Sequence, residues 1–312
     1  MLYNARMNSN RTLPHCSYDV DVRTVALVGR LAPDTLPEPL LQVIRIIQNL
    51  GKAVVIEART HDYFNLQDYP RVELDQIAQT ADVLISVGGD GTMLGVAREV
   101  APYGLPLIGV NQGHLGFITD IALADAPNAL REILADKRFE VEARDMLQVK
   151  VVREGEVLFT GTALNDVVVA RRSVEGMLEL NVNVNEQFMY RQRADSLIIA
   201  TPTGSTAYSL AANGPILHPQ LAGITLAPVA PQSLSNRPIV LPNSCTIQLE
   251  ITSKREAAIH CDTQVYSYAV QGDQLHIRLA PHQAVFWHPL SYNYFATLRQ
   301  KLNWQLNPSR PL

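Results

Sequence analysis

Asp90 is the residue whose setting first suggests chemistry. It lies in Val83–Gly95, VLISVGGDGTMLG, where an apolar strand runs into Gly88-Gly89-Asp90-Gly91 and a helix is expected to start near Thr92. Glycine lets a backbone turn sharply and approach a ligand closely. The free N–H groups and positive dipole end of a helix start then make an anion site suited to phosphates. A carboxylate inside such a cradle repels phosphate, so it needs a purpose. It can take the proton of an attacking hydroxyl, or hold Mg²⁺ against the phosphates. An ordinary strand–turn–helix connection also uses glycine, with the aspartate bonding its own backbone. Three glycines in four residues directly after a buried strand favour the phosphate reading. The segment has neither the GxxxxGK[ST] of a P-loop nor the spacing of a dinucleotide fingerprint.

Other polar segments follow apolar runs. Asn111–Asp120 reads NQGHLGFITD, and Asn165-Asp166 precedes Val167–Ala170. Asn165 can offer a purine edge both a donor and an acceptor. Arg193–Pro215 reads RADSLIIATPTGSTAYSLAANGP. Pro202 and Gly204 predict a turn there, and Ser205 or Thr206 is placed to cap a following helix. The hydroxyls of Thr203, Ser205, Thr206, Tyr208 and Ser209 are more than one cap requires. The eight histidines are scattered, and the three cysteines, Cys16, Cys245 and Cys261, form no CxxC. Without HExxH either, no dedicated transition-metal site is expected.

The elements that must position these residues change character along the chain. Thr24–Val28, Ala53–Ile56, Val83–Val87 and Leu107–Val110 read as buried strands separated by helices, the first helix carrying Leu40, Val43, Ile44 and Ile47 at helical spacing. That alternation predicts a parallel sheet covered by helices. After a helix around Ala126–Ala135 the pattern becomes strand-rich, with runs at Phe139–Val152, Val157–Val169, Leu178–Val184, Thr246–Thr252, Ala257–His260 and Gln274–Leu279. The expected division is a flexible tail over 1–21, an α/β domain over 22–123 completed by 290–312, and a β-rich domain over 124–289. In the closing helix, Phe295, Leu298 and Leu302 share a face.

Composition bounds the function classes. The 312 residues are 47% apolar and 18% charged, as in a packed globular chain, and the net charge is −4 with no Lys/Arg block. Nucleic acid is therefore not an expected partner. The first residues lack the order of a signal peptide, with Met7 a second candidate start, and no apolar run is long enough to span a membrane. The odd, widely spaced cysteines suit a reducing, cytoplasmic compartment.

The GGDG loop resembles that of the superfamily joining NAD kinases, phosphofructokinases and diacylglycerol or sphingosine kinases. Three further segments narrow the resemblance to NAD kinases. NQGHLGF is similar to their NxGxLGF segment. Asn165-Asp166 stands where they carry Asn-Glu, with a carboxylate one methylene shorter. TPTGSTAYSLAANGP is similar to their TPTGSTAYxxxxxGGP-like signature, with Asn213 in place of a glycine, a position that an αL-tolerant Asn can fill. Ile224–Pro242 and Asp262-Thr263-Gln264 also look like the family.

The resemblance implies an α/β plus all-β architecture: an N-terminal Rossmann-like domain, a C-terminal β-sandwich domain, and a C-terminal helix returning to the first. It implies transfer of a phosphoryl group from ATP, with Mg²⁺, to the adenosine-ribose 2′-hydroxyl of NAD. Asp90 would act as base, with Gly88, Gly89, Gly91 and Thr92 forming the phosphate loop. Asp90, Gly91, Phe117, Asn165, Asp166, Thr203, Thr206, Ala207, Tyr208, Ser209, Leu210, Ala211 and Gln264 would line the dinucleotide site. Phe117 would lie near the adenine. Arg193 and Asp195 would touch the nicotinamide side near a neighbouring subunit. A homotetramer or homodimer is implied. A lipid or sugar-phosphate kinase of the same superfamily, or a non-catalytic dinucleotide sensor, remains as an alternative reading.

Overall fold

The computed structural model describes residues 20–113, 116–173 and 176–304. Apart from Val20 and Asp21, the expected tail lies outside the described residues, as do residues 305–312 of the expected return. Two compact units are formed: one takes in the chain up to Ala143 and again from Ala284, the other runs Arg144–Gln283.

The first unit is built from β1 (Thr24–Gly29), α1 (Glu38–Asn49), β2 (Ala53–Glu57), α2 (Ala58–Phe64), β3 (Arg71–Val72), α3 (Ile77–Thr80), β4 (Val83–Val87), α4 (Asp90–Val100), β5 (Leu107–Asn111), β6 (Ile121–Ala122), α5 (Ala126–Leu134) and β7 (Glu140–Arg144). β1 pairs in parallel with β2 and β4, and β4 with β5. Every residue of β4 and β5 is buried. These strands therefore read as continuous apolar runs, because a parallel sheet covered on both faces has no solvent side. Leu40, Val43, Ile44 and Ile47 form the buried stripe of α1, and Gly51 follows in the left-handed region at φ +72°.

The first unit keeps more chain than the expected 22–123 and 290–312. Leu130, Ile133 and Leu134 of α5, then Phe139, share one core with β1 and β4. So does Trp287, stacked on Phe139 with ring centres 4.3 Å apart. The strand Ala284–His288 enters the eight-stranded sheet between β5 and β7. Where apolar side chains are buried, not where helices give way to strands, sets the division.

The second unit comprises β8 (Leu147–Arg153), β9 (Glu156–Ala163), β10 (Asp166–Arg171), β11 (Leu178–Val184), β12 (Gln187–Ala194), β13 (Ser196–Ala200), α6 (Tyr208–Ala211), β14 (Gly223–Val229), β15 (Ile239–Pro242), β16 (Ile247–Ile251), β17 (Ala257–Cys261), β18 (Val265–Ala269) and β19 (Gln274–Leu279). They make two six-stranded sheets, ordered β15-β14-β13-β10-β17-β18 and β12-β11-β16-β19-β8-β9. Val149, Val182, Leu249 and Ile277 from one sheet share a core with Val167, Ile199, Leu226 and Ile259 from the other, which makes a sandwich. β8, β11 and β16 alternate buried with half-buried residues, as strands with one wet face do. β13 is buried throughout. Its second face is covered because Ile198 and Ala200 pack with Ala212, which follows α6.

The last elements, β20 (Ala284–His288) and α7 (Tyr294–Lys301), belong to the first unit. Asn293 caps α7, its side chain accepting from the Ala296 N–H at 2.9 Å. Leu298 and Thr297 are the buried residues of α7, whereas Phe295 is 58% exposed. The expected Phe295–Leu298–Leu302 face is thus only partly apolar packing. Among the described residues no helix is long and apolar enough to cross a membrane.

Candidate active site

In the first unit the strand order reverses at β1, with β2 on one side and β4 on the other. Ligands of open α/β sheets bind outside the carboxyl ends of the strands at such a point. Gly88 follows the carboxyl end of β4 directly. Thr92 and Met93 both donate to the Gly89 carbonyl, at 3.0 and 3.2 Å. α4 accordingly begins at Asp90, two residues before the expected start. Asp90 and Gly91 occupy its first turn, and Thr92 is already helical. A Cβ on Gly88 would come within 2.7 Å of Thr92 Oγ1, whereas one on Gly89 would meet nothing within 4 Å. The loop is packed on one side and open on the other.

The half-buried Asp90 carboxylate is held by residues 27 to 29 positions further along. Its Oδ1 accepts from the backbone N–H of Ile118 (3.3 Å), the N–H of Thr119 (3.1 Å) and Thr119 Oγ1 (2.8 Å). Among the described residues its Oδ2 accepts from the Phe117 N–H alone (2.8 Å). A carboxylate offers about four lone-pair sites, so Oδ1 is saturated while Oδ2 keeps acceptor capacity. Thr119 is fixed in turn, its Oγ1 accepting from Asn111 Nδ2 at 2.8 Å. Gly116 is where glycine is needed most: a Cβ there would lie 1.8 Å from Asp90 Oδ1. The Lys301 ammonium of α7 sits 5.9 Å from the centre of the Phe117 ring.

The second unit gathers a separate cluster. The Asp262 carboxylate accepts from the N–H groups of Leu164 (2.9 Å), Asn165 (2.7 Å) and Asp166 (3.1 Å). Asp262 and Thr263 both have positive φ, 53° and 62°, in the tight turn from β17 to β18 that also presents exposed Gln264. The Asn165 carbonyl accepts from the Thr201 N–H, and a Cβ on Gly204 would fall 2.0 Å from it. The side-chain amide of half-buried Asn165 makes no hydrogen bond among the described residues. Asp166 is only 2% exposed. Burial first, then the neighbouring Asp262 charge, push its carboxyl up to about 7, against the opposing backbone N–H of Tyr208.

Thr203–Ala211 is compact and layered. Ser205 Oγ donates to the Pro202 carbonyl and accepts from the Leu217 N–H, so it does not cap a helix. Thr206 Oγ1 likewise bonds backward, to the Thr203 carbonyl. The expected cap fails because α6 begins only at Tyr208, after uncapped Ala207. Thr203 and Ser209 are buried and shape the loop. Thr206, Ala207, Tyr208, Leu210 and Ala211 are open to a ligand, Tyr208 at 42% exposure. Asn213 holds φ +60°, the left-handed conformation that its glycine-like position requires.

Arg193 and Asp195 stand apart from this cluster, at the far end of β13 from the Thr203 loop. They are not one ion pair. Arg193 Nε lies 3.1 Å from Glu179, and Asp195 lies 2.7 Å from Arg171 Nε. The residues that sequence reasoning missed are Gly116, Ile118, Thr119 and Asp262, all within segments it singled out but none carrying a local signal of its partner. Among the described residues no group of three or more His, Cys, Asp or Glu side chains is placed to hold a metal ion.

Comparison with known proteins places these two clusters in context. Residues 46–138 match the profile of the ATP-NAD kinase N-terminal domain, and residues 164–288 that of the ATP-NAD kinase C-terminal domain. The NAD kinase of Ralstonia nicotianae is 46% identical over 287 residues, covering 92% of this chain and 95% of that protein. That of Burkholderia ambifaria is 48% identical over 286 residues, with the same coverage. Among solved structures, yeast NADH kinase complexed with NADH aligns with a TM-score of 0.83 at 22% identity, over 96% of this chain and 94% of that one. An NAD kinase from Archaeoglobus fulgidus in complex with ATP aligns at 0.70 and 23% identity, over 90% and 98%.

Proposed function

This chain belongs to the NAD kinase family, and on that premise we propose that Asp90 is the base of its phosphoryl transfer. The activity is transfer from ATP to the adenosine-ribose 2′-hydroxyl of NAD, giving NADP and ADP. The observation that carries the assignment is the asymmetric hold on Asp90, with Oδ1 saturated and Oδ2 still able to accept. The hydroxyl proton passes to Oδ2 as the 2′-oxygen attacks the γ-phosphorus. The bond to the bridging oxygen breaks, and the electron pair leaves with ADP.

Gly88, Gly89, Gly91 and Thr92 form the turn into α4 that receives the triphosphate, the Gly88 N–H being held by the Val110 carbonyl and that of Thr92 by the Gly89 carbonyl. The loop contains no lysine, and Mg²⁺ carried with ATP supplies the missing positive charge. Asn165, Asp166, Thr206, Ala207, Tyr208, Leu210, Ala211 and Gln264 hold the dinucleotide, with Thr203 and Ser209 as the buried support of that loop. Phe117 serves the adenine, and Arg193 and Asp195 the nicotinamide side. The enzyme works in the cytoplasm as a homotetramer or homodimer. Exposed Leu158, Phe188, Tyr266 and Tyr268 on the second unit support an assembly, which light scattering after size exclusion measures.

The direct test is incubation with Mg-ATP and NAD, diacylglycerol or fructose 6-phosphate, with NADP read by an NADP-specific dehydrogenase. NADP is the expected product, and EDTA abolishes it. Phosphorylation of the lipid or sugar in place of NAD would overturn the reading. NAD binding without turnover would make the chain a sensor.

A further inference from the structure

A second set of charged groups lies in the first unit, outside the residues assigned above. His288, the last residue of β20, is 2% exposed. Its Nδ1 lies 3.0 Å from Asp120 Oδ2 and its Nε2 3.2 Å from Glu142 Oε2 on β7. The Tyr292 ring stacks on the imidazole with centres 4.2 Å apart. Both ring nitrogens face carboxylates, so both must donate, and the ring is an imidazolium. Among the described residues, Asp120 Oδ1 is buried with no hydrogen-bond partner. Asp120 also follows Thr119 directly, and Phe117–Thr119 is the segment whose donors hold Asp90.

We propose that His288 is a positioning residue for phosphoryl transfer: through Asp120 it fixes the Phe117–Thr119 backbone that presents the Asp90 carboxylate. The inference rests on the reading of Asp90 as base. Burial alone would push the imidazole down. The Asp120 charge and the hydrogen bonds to Asp120 and Glu142 outweigh it and push His288 up to about 9. Asp120, Glu142 and Tyr292 are the ionisable groups seen against the ring. Deprotonation removes one of its two donated bonds, so the clamp loosens above that pH.

The test uses the full chain with His288→Gln, Asp120→Asn and Asp90→Asn, measuring kcat and both KM values from pH 7 to pH 10. Wild-type kcat is expected to fall with a midpoint near pH 9. His288→Gln lowers kcat about tenfold with both KM values within about twofold, and it abolishes the alkaline fall. Asp120→Asn keeps an acceptor for Nδ1 but removes the anion, so the alkaline fall moves to lower pH. It serves even if His288→Gln does not fold. A His288→Gln enzyme within twofold of wild-type kcat, or an alkaline midpoint that stays put in Asp120→Asn, overturns the proposal. Near-native Asp90→Asn would instead overturn the base assignment, a distinct failure.

Discussion

Each unit centres on an aspartate, and the two are held in opposite ways. Asp90, half-buried, accepts from four donors. Asp166, 2% exposed, has one backbone donor and the Asp262 charge beside it. The first arrangement stabilises a carboxylate in one orientation and leaves one oxygen available. The second makes a buried carboxylate costly, a cost the chain retains where a ligand hydroxyl could supply the missing donors. The same side chain is therefore a candidate for chemistry in one unit and for recognition in the other.

The largest expected effect separates those roles. Asp90→Asn should reduce kcat by at least about 10²-fold, the low end for a positioned base, while NAD affinity by titration stays within about twofold. Near-native turnover would remove the contrast altogether.

Two glycines sharpen it. Gly116→Ala pushes a methyl into Asp90 Oδ1, at 1.8 Å, and should cut kcat about 100-fold without raising either KM comparably. Gly204→Ala pushes one into the Asn165 carbonyl, at 2.0 Å, and should act chiefly on the NAD KM. If both variants changed the same parameter, the two carboxylates would not divide the work.

A smaller shift is expected at Tyr208. Tyr208→Ala should raise the NAD KM about tenfold and the ATP KM less than twofold, since its exposed ring offers stacking area worth roughly 1 kcal/mol or more. An equal rise in both would take Tyr208 out of the dinucleotide site.

The remaining effect is on stability alone and depends on pH. Asp166 sits at about 7 in the fold against 3.8 ordinarily, so the folded state binds its proton more tightly. Stability therefore falls as pH rises from about 4 to about 7, and the full penalty applies above that. Asp166→Asn should gain on the order of 2 kcal/mol at pH 8 and nothing below pH 4, by denaturant titration. A gain that did not vary with pH would mean that the charge is not the cause.

The residues that could be read from the sequence are those whose neighbours in space are neighbours in the chain. β4, the glycine turn and α4 form one continuous stretch, so the strand–turn–helix unit around Asp90 was legible, and only the helix start shifted. β11 and β19 alternate cleanly and appear where expected. The donors to Asp90 come from 27 to 29 residues away, and those held by Asp262 from 96 to 98. No local pattern encodes such partners. β12 was missed because Gln187, Arg191, Gln192 and Arg193 interrupt any apolar alternation, with Phe188 exposed and Gln192 buried. β20 lies in a strand-rich stretch, and only its burial with Phe139 and β5 assigns it to the earlier sheet.

The position of β20 also bears on synthesis. A ribosome synthesises the whole sandwich, Arg144–Gln283, before it makes the strand that fits between β5 and β7. Until then β7 and the part of β5 that β6 does not cover present open edges, the feature that promotes mispairing. In chains ended after Gln283 and extended by a linker long enough to clear the exit tunnel, the later-encoded unit is thus expected to be protease-resistant while the earlier-encoded one is not.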